Sequence, residues 1–185
     1  MDTGIDASHP DIAPNLNVQL SRNFTVDIPL IDGPCEEEPD GLCEDPPTVD
    51  EDGHGTHVAG IVAAPINGLG VSGVAPNVTL VNIRAGQDSG FFFLQPTLDA
   101  WTYAADVGID VVNMSFYTDP WLYNCLNNPA DSPAAQAEQA LIIEASNRAL
   151  DYAWSRGVTL IAAAGNSATD LGRPTFDDTS PDFPP

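Results

Sequence analysis

Positive charge is what this sequence has least of. Five Lys and Arg stand against 27 Asp and Glu, a formal net charge of −22 with histidine neutral. Nucleic acid and anionic membrane surfaces are therefore poor partners, because their phosphates would be repelled. The same balance suits cationic substrates, bound calcium or a salt-rich medium, and equally an acidic surface that only keeps the chain dissolved. Long apolar runs are missing too. None approaches the roughly 20 residues of a membrane span, and no basic region followed by an apolar stretch opens the chain. Cysteine is scarce, at three residues. Cys35 and Cys43 flank a short loop, Glu36 to Leu42, that is either closed by a disulfide or left with two free thiols. A disulfide there would suit an oxidising, extracytoplasmic setting. Cys125 has no partner in view.

What is present is enough for one ordinary domain. A chain of 185 residues can bury a core, and 43% apolar residues argue against disorder. The most informative stretch is Asp52-Gly-His-Gly-Thr-His-Val-Ala-Gly60. His54 titrates near neutral pH, and Gly53 and Gly55 let the backbone turn sharply around it. Val58 to Ala64 has almost no polar side, so the helix it predicts, about His54 to Ala64, should be buried all round. The plainer reading of the nonapeptide is a tight turn before a core helix, with a solvated histidine.

Around that centre the chain alternates strand and helix. Residues 2–12 read as a turn leaving a strand, and Asn23 to Val26 as a short strand. Residues 27–52 form an acid- and Pro-rich insertion, and Pro65 to Pro76 a series of tight turns. Val78 to Ile83 reads as a buried strand. Pro96 to Val107 is helical in pattern and stops at Gly108, and Ile109 to Ser115 is the next strand. Residues 117–132 read as a second insertion. Ser132 caps a long helix with Pro133 at its first position, and the helix ends at Gly157. Val158 to Ala164 is an apolar strand closing on Gly165-Asn166. Apolar rather than alternating strands predict an α/β domain, a mostly parallel sheet with helices on both faces. Functional residues gather at the carboxyl ends of such strands.

Taken together, these pieces resemble the subtilisin-like serine peptidases. Asp2-Thr-Gly-Ile5 is similar to the family's aspartate motif, and His54-Gly-Thr-His-Val-Ala-Gly60 to its histidine motif. Asn113-Met-Ser115 resembles the substrate-binding strand, and Ala162-Ala-Ala-Gly-Asn166 the oxyanion motif. Gly70 to Pro76 is also family-like, and all the matches fall in family order. The resemblance implies a three-layer subtilisin-like fold, incomplete at both ends, and proteolysis by an Asp-His-Ser triad. His54 would be the general base and Asp2 the group that fixes its tautomer. Asn166 would donate to the oxyanion, a contact whose loss costs about 3–4 kcal/mol in a subtilisin. His57 is read as structural. Gly90, Phe91 and Phe92 would form an edge strand that pairs with the peptide, although Phe91 to Phe93 suits core packing equally well. Ser115, Phe116, Ala163, Ala164 and Gly165 would wall the pocket beside the scissile bond.

The resemblance also has gaps. Tyr117 stands where the family commonly has glycine, which would narrow the pocket, and Ile61 where it usually has threonine. A structural calcium is expected at Asp11 and Asn67, with backbone oxygens of Pro65, Leu69 and Val71; no catalytic cofactor is expected. The plainer roles there are a cap for Asp11 and a turn for Asn67. The nucleophile is absent: Ser115 belongs to the pocket strand, Ser167 follows Asn166 directly, and Ser180 sits in a Pro-rich tail. Either the chain stops before the nucleophile motif, or the protein lost it and binds peptides without cleaving them. No strand precedes Asp2 to hold its turn, and residues 176–185 end in a loop. We therefore expect a piece of a longer, secreted, monomeric endopeptidase acting on proteins or peptides.

Overall fold

The first strand pairing is built on Ile83 and Arg84. These two residues form β2, which runs parallel to β1 (Arg22–Asn23), Arg22 facing Ile83 and Asn23 facing Arg84. Asp2 bridges Arg84 in parallel: Ala85 N–H donates to the Asp2 carbonyl at 3.0 Å. The computed structural model describes residues 1–37, 41–166 and 168, in two units, Met1–Phe91 and Phe92–Pro185. The first unit also holds α1 (His54–Ala63), and Cys35 and Cys43 are joined by a disulfide. Ile5, Ile12 and Ala59 form its apolar cluster, with Leu16 and Leu80 against it.

The second unit contains α2 (Leu94–Asp106), β3 (Val111–Met114), α3 (Pro133–Ser155) and β4 (Thr159–Ala162). β3 and β4 pair in parallel from Val111 opposite Thr159 to Met114 opposite Ala162. The crossover between them is α3, which packs against α2 and β4. Ala100, Ala104 and Ala105 are buried on α2, small enough for a close helix approach, and Tyr152 on α3 donates to Asp106 at 2.6 Å. Trp101 points its indole N–H at Met114 Sδ, tying α2 to β3. This is an α/β fold with parallel strands, as the apolar strand pattern predicts.

Several boundaries differ from expectation. α1 is not buried all round: Gly55, Ala59 and Ala63 are buried, while His57 and Ile61 are exposed. Its small residues make one narrow stripe at four-residue spacing, and that stripe alone is buried. The run Val78 to Ile83 is not a continuous strand. It touches its neighbour once, at Leu80 opposite Leu16, and pairs regularly only from Ile83. The ladder ends on Arg84, a charged residue that hydropathy would reject. α2 starts two residues before Pro96, which sits in the first turn where no N–H is needed. Residues 38–40 of the first insertion, Ser167, and residues 169–185 with Ser180 lie outside the described residues.

Ser132 caps α3 as expected, accepting from Ala135 N–H at 3.1 Å. Ser132→Ala should cost about 1 kcal/mol of stability, read as a lower urea midpoint with an unchanged slope.

Candidate active site

Asp2 is positioned by backbone pairing. Its N–H and C=O both bond to the β2 segment, at Ile83 and Ala85, so its side chain is fixed by a strand and not by a loop. The carboxylate is buried, and Oδ1 accepts from Thr3 N–H at 2.9 Å and meets His54 Nδ1 at 2.6 Å. A carboxylate can only accept, so the proton of this contact sits on Nδ1 and leaves Nε2 as the lone-pair nitrogen of a neutral ring. The bond to Asp2 and the nearby charges of Asp52 and Asp50 raise the His54 pKa, against a smaller opposing effect of burial.

His54 is the first residue of α1, after Gly53 in the left-handed region at φ 85°. The helix start lacks a side-chain cap from Gly53 and is held instead by Asp50. Asp50 Oδ2 accepts from Thr56 N–H at 2.7 Å and from the Thr56 hydroxyl, while Oδ1 accepts from Gly53 N–H and from the Thr3 hydroxyl at 2.9 Å. The Thr3 oxygen in turn accepts from Gly55 N–H at 3.0 Å. A carboxylate at a helix N-terminus is favoured by the orphan N–H groups and by the helix dipole. Asp50, Thr3 and Thr56 are site residues that sequence reasoning missed. The available signal was a carboxylate four residues before a histidine that opens a helix. Gly55 completes the arrangement: a Cβ there would strike the Gly4 backbone and press on Asp2.

The other expected residues are placed as follows. Gly90 has φ 81° in a turn closed by its N–H to the Gln87 carbonyl, and Gln87 N–H donates to the Phe91 carbonyl at 2.8 Å. The edge-strand expectation does not hold at Phe92. That residue is buried, its ring stacks on Phe116 at 4.1 Å, and Asp119 takes its N–H (2.7 Å, through Oδ2) and its C=O (2.8 Å). Both backbone groups are already paired, so core packing is the reading that fits. Ser115, half-buried, accepts from Asn113 Nδ2 at 2.9 Å and leaves β3 at its carboxyl end. Ala163 follows β4 and donates to the Met114 carbonyl at 3.0 Å, so Ser115 and Ala163-Ala164-Gly165-Asn166 leave adjacent parallel strands at the same end. Ala163 to Asn166 are exposed. Tyr117 is half-buried, and burial with the Asp119 charge raises its phenol pKa.

Asp11 and Asn67 are also brought together. Buried Asp11 accepts from Asn67 Nδ2 and from Val71 N–H, each at 3.0 Å, and Asn67 Oδ1 accepts from Leu69 N–H. At Gly70 a side chain would strike the Asp11 carboxylate, so the turn wraps it closely. Carboxylate, amide and loop carbonyls are the donor set of a hard cation. A half-turn of the Asn67 amide is needed to present its oxygen.

Comparison with known proteins gives this geometry its context. The chain matches the subtilase family, peptidase S8, over residues 1–181. It belongs to that family. It is 32% identical over 181 residues to a thermophilic serine proteinase of Bacillus sp. (strain AK1), covering 97% of this chain and 34% of that protein. It is 34% identical over 176 residues to subtilisin DY of Bacillus licheniformis, covering 95% of this chain and 49% of that protein. Among solved structures, the nisin leader peptidase of Lactococcus lactis superposes with a TM-score of 0.67 at 27% identity, covering 92% of this chain and 44% of that one. The chain thus spans between a third and a half of the length of these curated relatives.

The raised pKa sets a sign. The stability contributed by the Asp2–His54 pair is complete below about pH 6.5, the ordinary histidine value, and is lost as pH rises through the raised folded-state value. In histidine NMR titration, His54 should therefore titrate above about 6.5, and Asp2→Asn should bring it down. Gly55→Ala should destabilise the fold by about 1–3 kcal/mol, as overpacking does, read by denaturant unfolding.

Proposed function

We propose that this chain is the aspartate- and histidine-bearing part of a subtilisin-like serine endopeptidase. One observation carries the reading: a buried carboxylate on a strand holds Nδ1 of a half-exposed histidine at 2.6 Å. With Nδ1–H committed to Asp2, Nε2 of His54 is the base that takes the proton of a serine hydroxyl as it attacks a peptide carbonyl. The imidazolium formed is stabilised by the Asp2 charge, and its proton then goes to the leaving amine. Asn166 donates from the end of β4 to the developing oxyanion. Ser115, Phe116 and Ala163 to Gly165 wall the pocket, and Gly90 and Phe91 lie along the peptide. The nucleophile comes from outside the described residues.

Several finer assignments belong to the same reading. Residues 27–52 and 117–132 are insertions on the family fold. The Cys35–Cys43 disulfide supports a secreted protein, since such bonds persist in oxidising compartments. Asp11, Asn67 and the carbonyls of Pro65, Leu69 and Val71 would hold a calcium whose role is to stiffen the turn and not to react. The substrate is a protein or peptide, and the enzyme is a monomer.

The test uses the full-length protein. A serine-directed phosphonate should label one serine there and none within residues 1–185, and the 185-residue chain alone should turn over no peptide. His54→Ala should lower kcat by several orders of magnitude with little change in KM. The acid limb of kcat/KM should lie above about pH 6.5, because protonated His54 cannot accept the serine proton. A full-length protein with no labelled serine that still binds peptides would establish the non-catalytic reading instead.

A further inference from the structure

The carboxylates around His54 and the Ser89–Gly90 turn differ in what they have left to offer. Asp2 is buried against the imidazole. Asp50 commits both oxygens to Thr3, Gly53 and Thr56. Asp32 is half-buried: its Oδ1 accepts from the Ser89 N–H at 3.1 Å and hydroxyl at 2.6 Å, and its Oδ2 from Ile28 N–H at 2.6 Å. Asp45 and Asp88 face the buried guanidinium of Arg84. Asp52 is the exception. It is exposed, its Oδ1 accepts from His54 N–H at 3.0 Å, and its Oδ2 takes no hydrogen bond or ion pair among the described residues. That open oxygen lies 3.3 Å from where a Cβ on Gly90 would be, and nothing else beyond the neighbours of Gly90 in the chain comes within 4 Å of that place. The carboxylate therefore stands between the base and the turn, and its charge is one of those that reach the imidazole.

A peptide laid along Gly90 with its scissile carbonyl near His54 has to pass this oxygen. An anionic side chain there meets a like charge, whereas a cationic one meets an open acceptor. We propose that Asp52 selects substrates with a lysine or arginine side chain in the position between His54 and Gly90. This deepens the endopeptidase reading and rests on it. Asp52 acts as a specificity-determining residue and takes no part in the proton transfer. Its Oδ1 contact with the helix start already fixes the carboxylate, so little ordering remains to be done when a cation binds. The charge of the whole chain works in the same direction. With five Lys and Arg against 27 Asp and Glu, its field draws cationic peptides in and repels anionic ones.

The experiment measures kcat/KM on full-length protein for short peptides that carry Arg, Ala or Glu at one position at a time around the scissile bond. One exposed ion pair changes affinity by about fivefold at most. Attraction of Arg and repulsion of Glu combine in the ratio, so wild type should prefer Arg to Glu by about tenfold or more at one position. Asp52→Lys should invert that ratio at the same position. Asp52→Asn keeps an acceptor for His54 N–H, and should bring the ratio close to unity. The wild-type preference should also shrink at high salt. A preference for Arg that survives in both variants overturns the proposal, and so does a wild type that cleaves Arg and Glu peptides equally at every position. If no peptide is cleaved, it is the endopeptidase reading that fails. The same ratios are then read as dissociation constants of dye-labelled peptides by anisotropy: inversion by Asp52→Lys supports the cation contact, and an unchanged ratio overturns it.

Discussion

Two stretches of backbone in the first unit approach too closely to admit a side chain, and the candidate site depends on it. Gly55, in the first turn of α1, lies against Gly4 where no side chain would fit. The helix can therefore approach the Asp2 strand closely enough for a carboxylate to meet an imidazole nitrogen directly. Asp50 then holds the two pieces in register, bonding Thr3 on one side and Thr56 and Gly53 on the other. The span between acid and base is set by strand, helix and one bridging carboxylate.

Part of this was legible in the sequence because the chemistry leaves little choice of residue. A proton relay needs a histidine and a carboxylate, a tight turn needs glycine, and an exposed strand end needs small residues. The ordered motifs of the family resemblance marked Asp2 and His54, and their side chains meet at 2.6 Å. The α3 cap was legible for a local reason, since Ser132 followed by Pro133 satisfies a helix start from within one turn. Asp50, Asp45 and Asp88 were not legible. In a chain with 27 acidic residues, a carboxylate that builds structure looks the same as one that is merely solvated. Arg84 was hidden for the opposite reason: an arginine at the end of an apolar run reads as solvated, whereas here it is fully buried and pairs with Asn23.

The two clearest corrections share a cause. The apolar run of α1 indicated burial on every side, and the family resemblance implied that Phe92 would lie at an edge, with core packing as the equal alternative. Composition does not state which face a neighbour covers. On α1 only the Gly55-Ala59-Ala63 stripe is buried. At Phe92 the neighbour is Asp119, a residue 27 positions away whose carboxylate and amide take both backbone groups. Pairing over that distance has no periodic trace in the sequence.

The insertion that carries the disulfide is closed at its base. Asp27 N–H donates to the Cys43 carbonyl at 2.7 Å, and the side chains of Asp27 and Asp45 both lie against the Arg84 guanidinium. The chain therefore leaves and re-enters the fold at almost one point, and the residues between can lengthen, shorten or change character without moving what they are attached to. In architectural terms the segment is a module on a fixed socket. Evolution can exchange it, as an engineer can, while Asp2 and His54 keep their places.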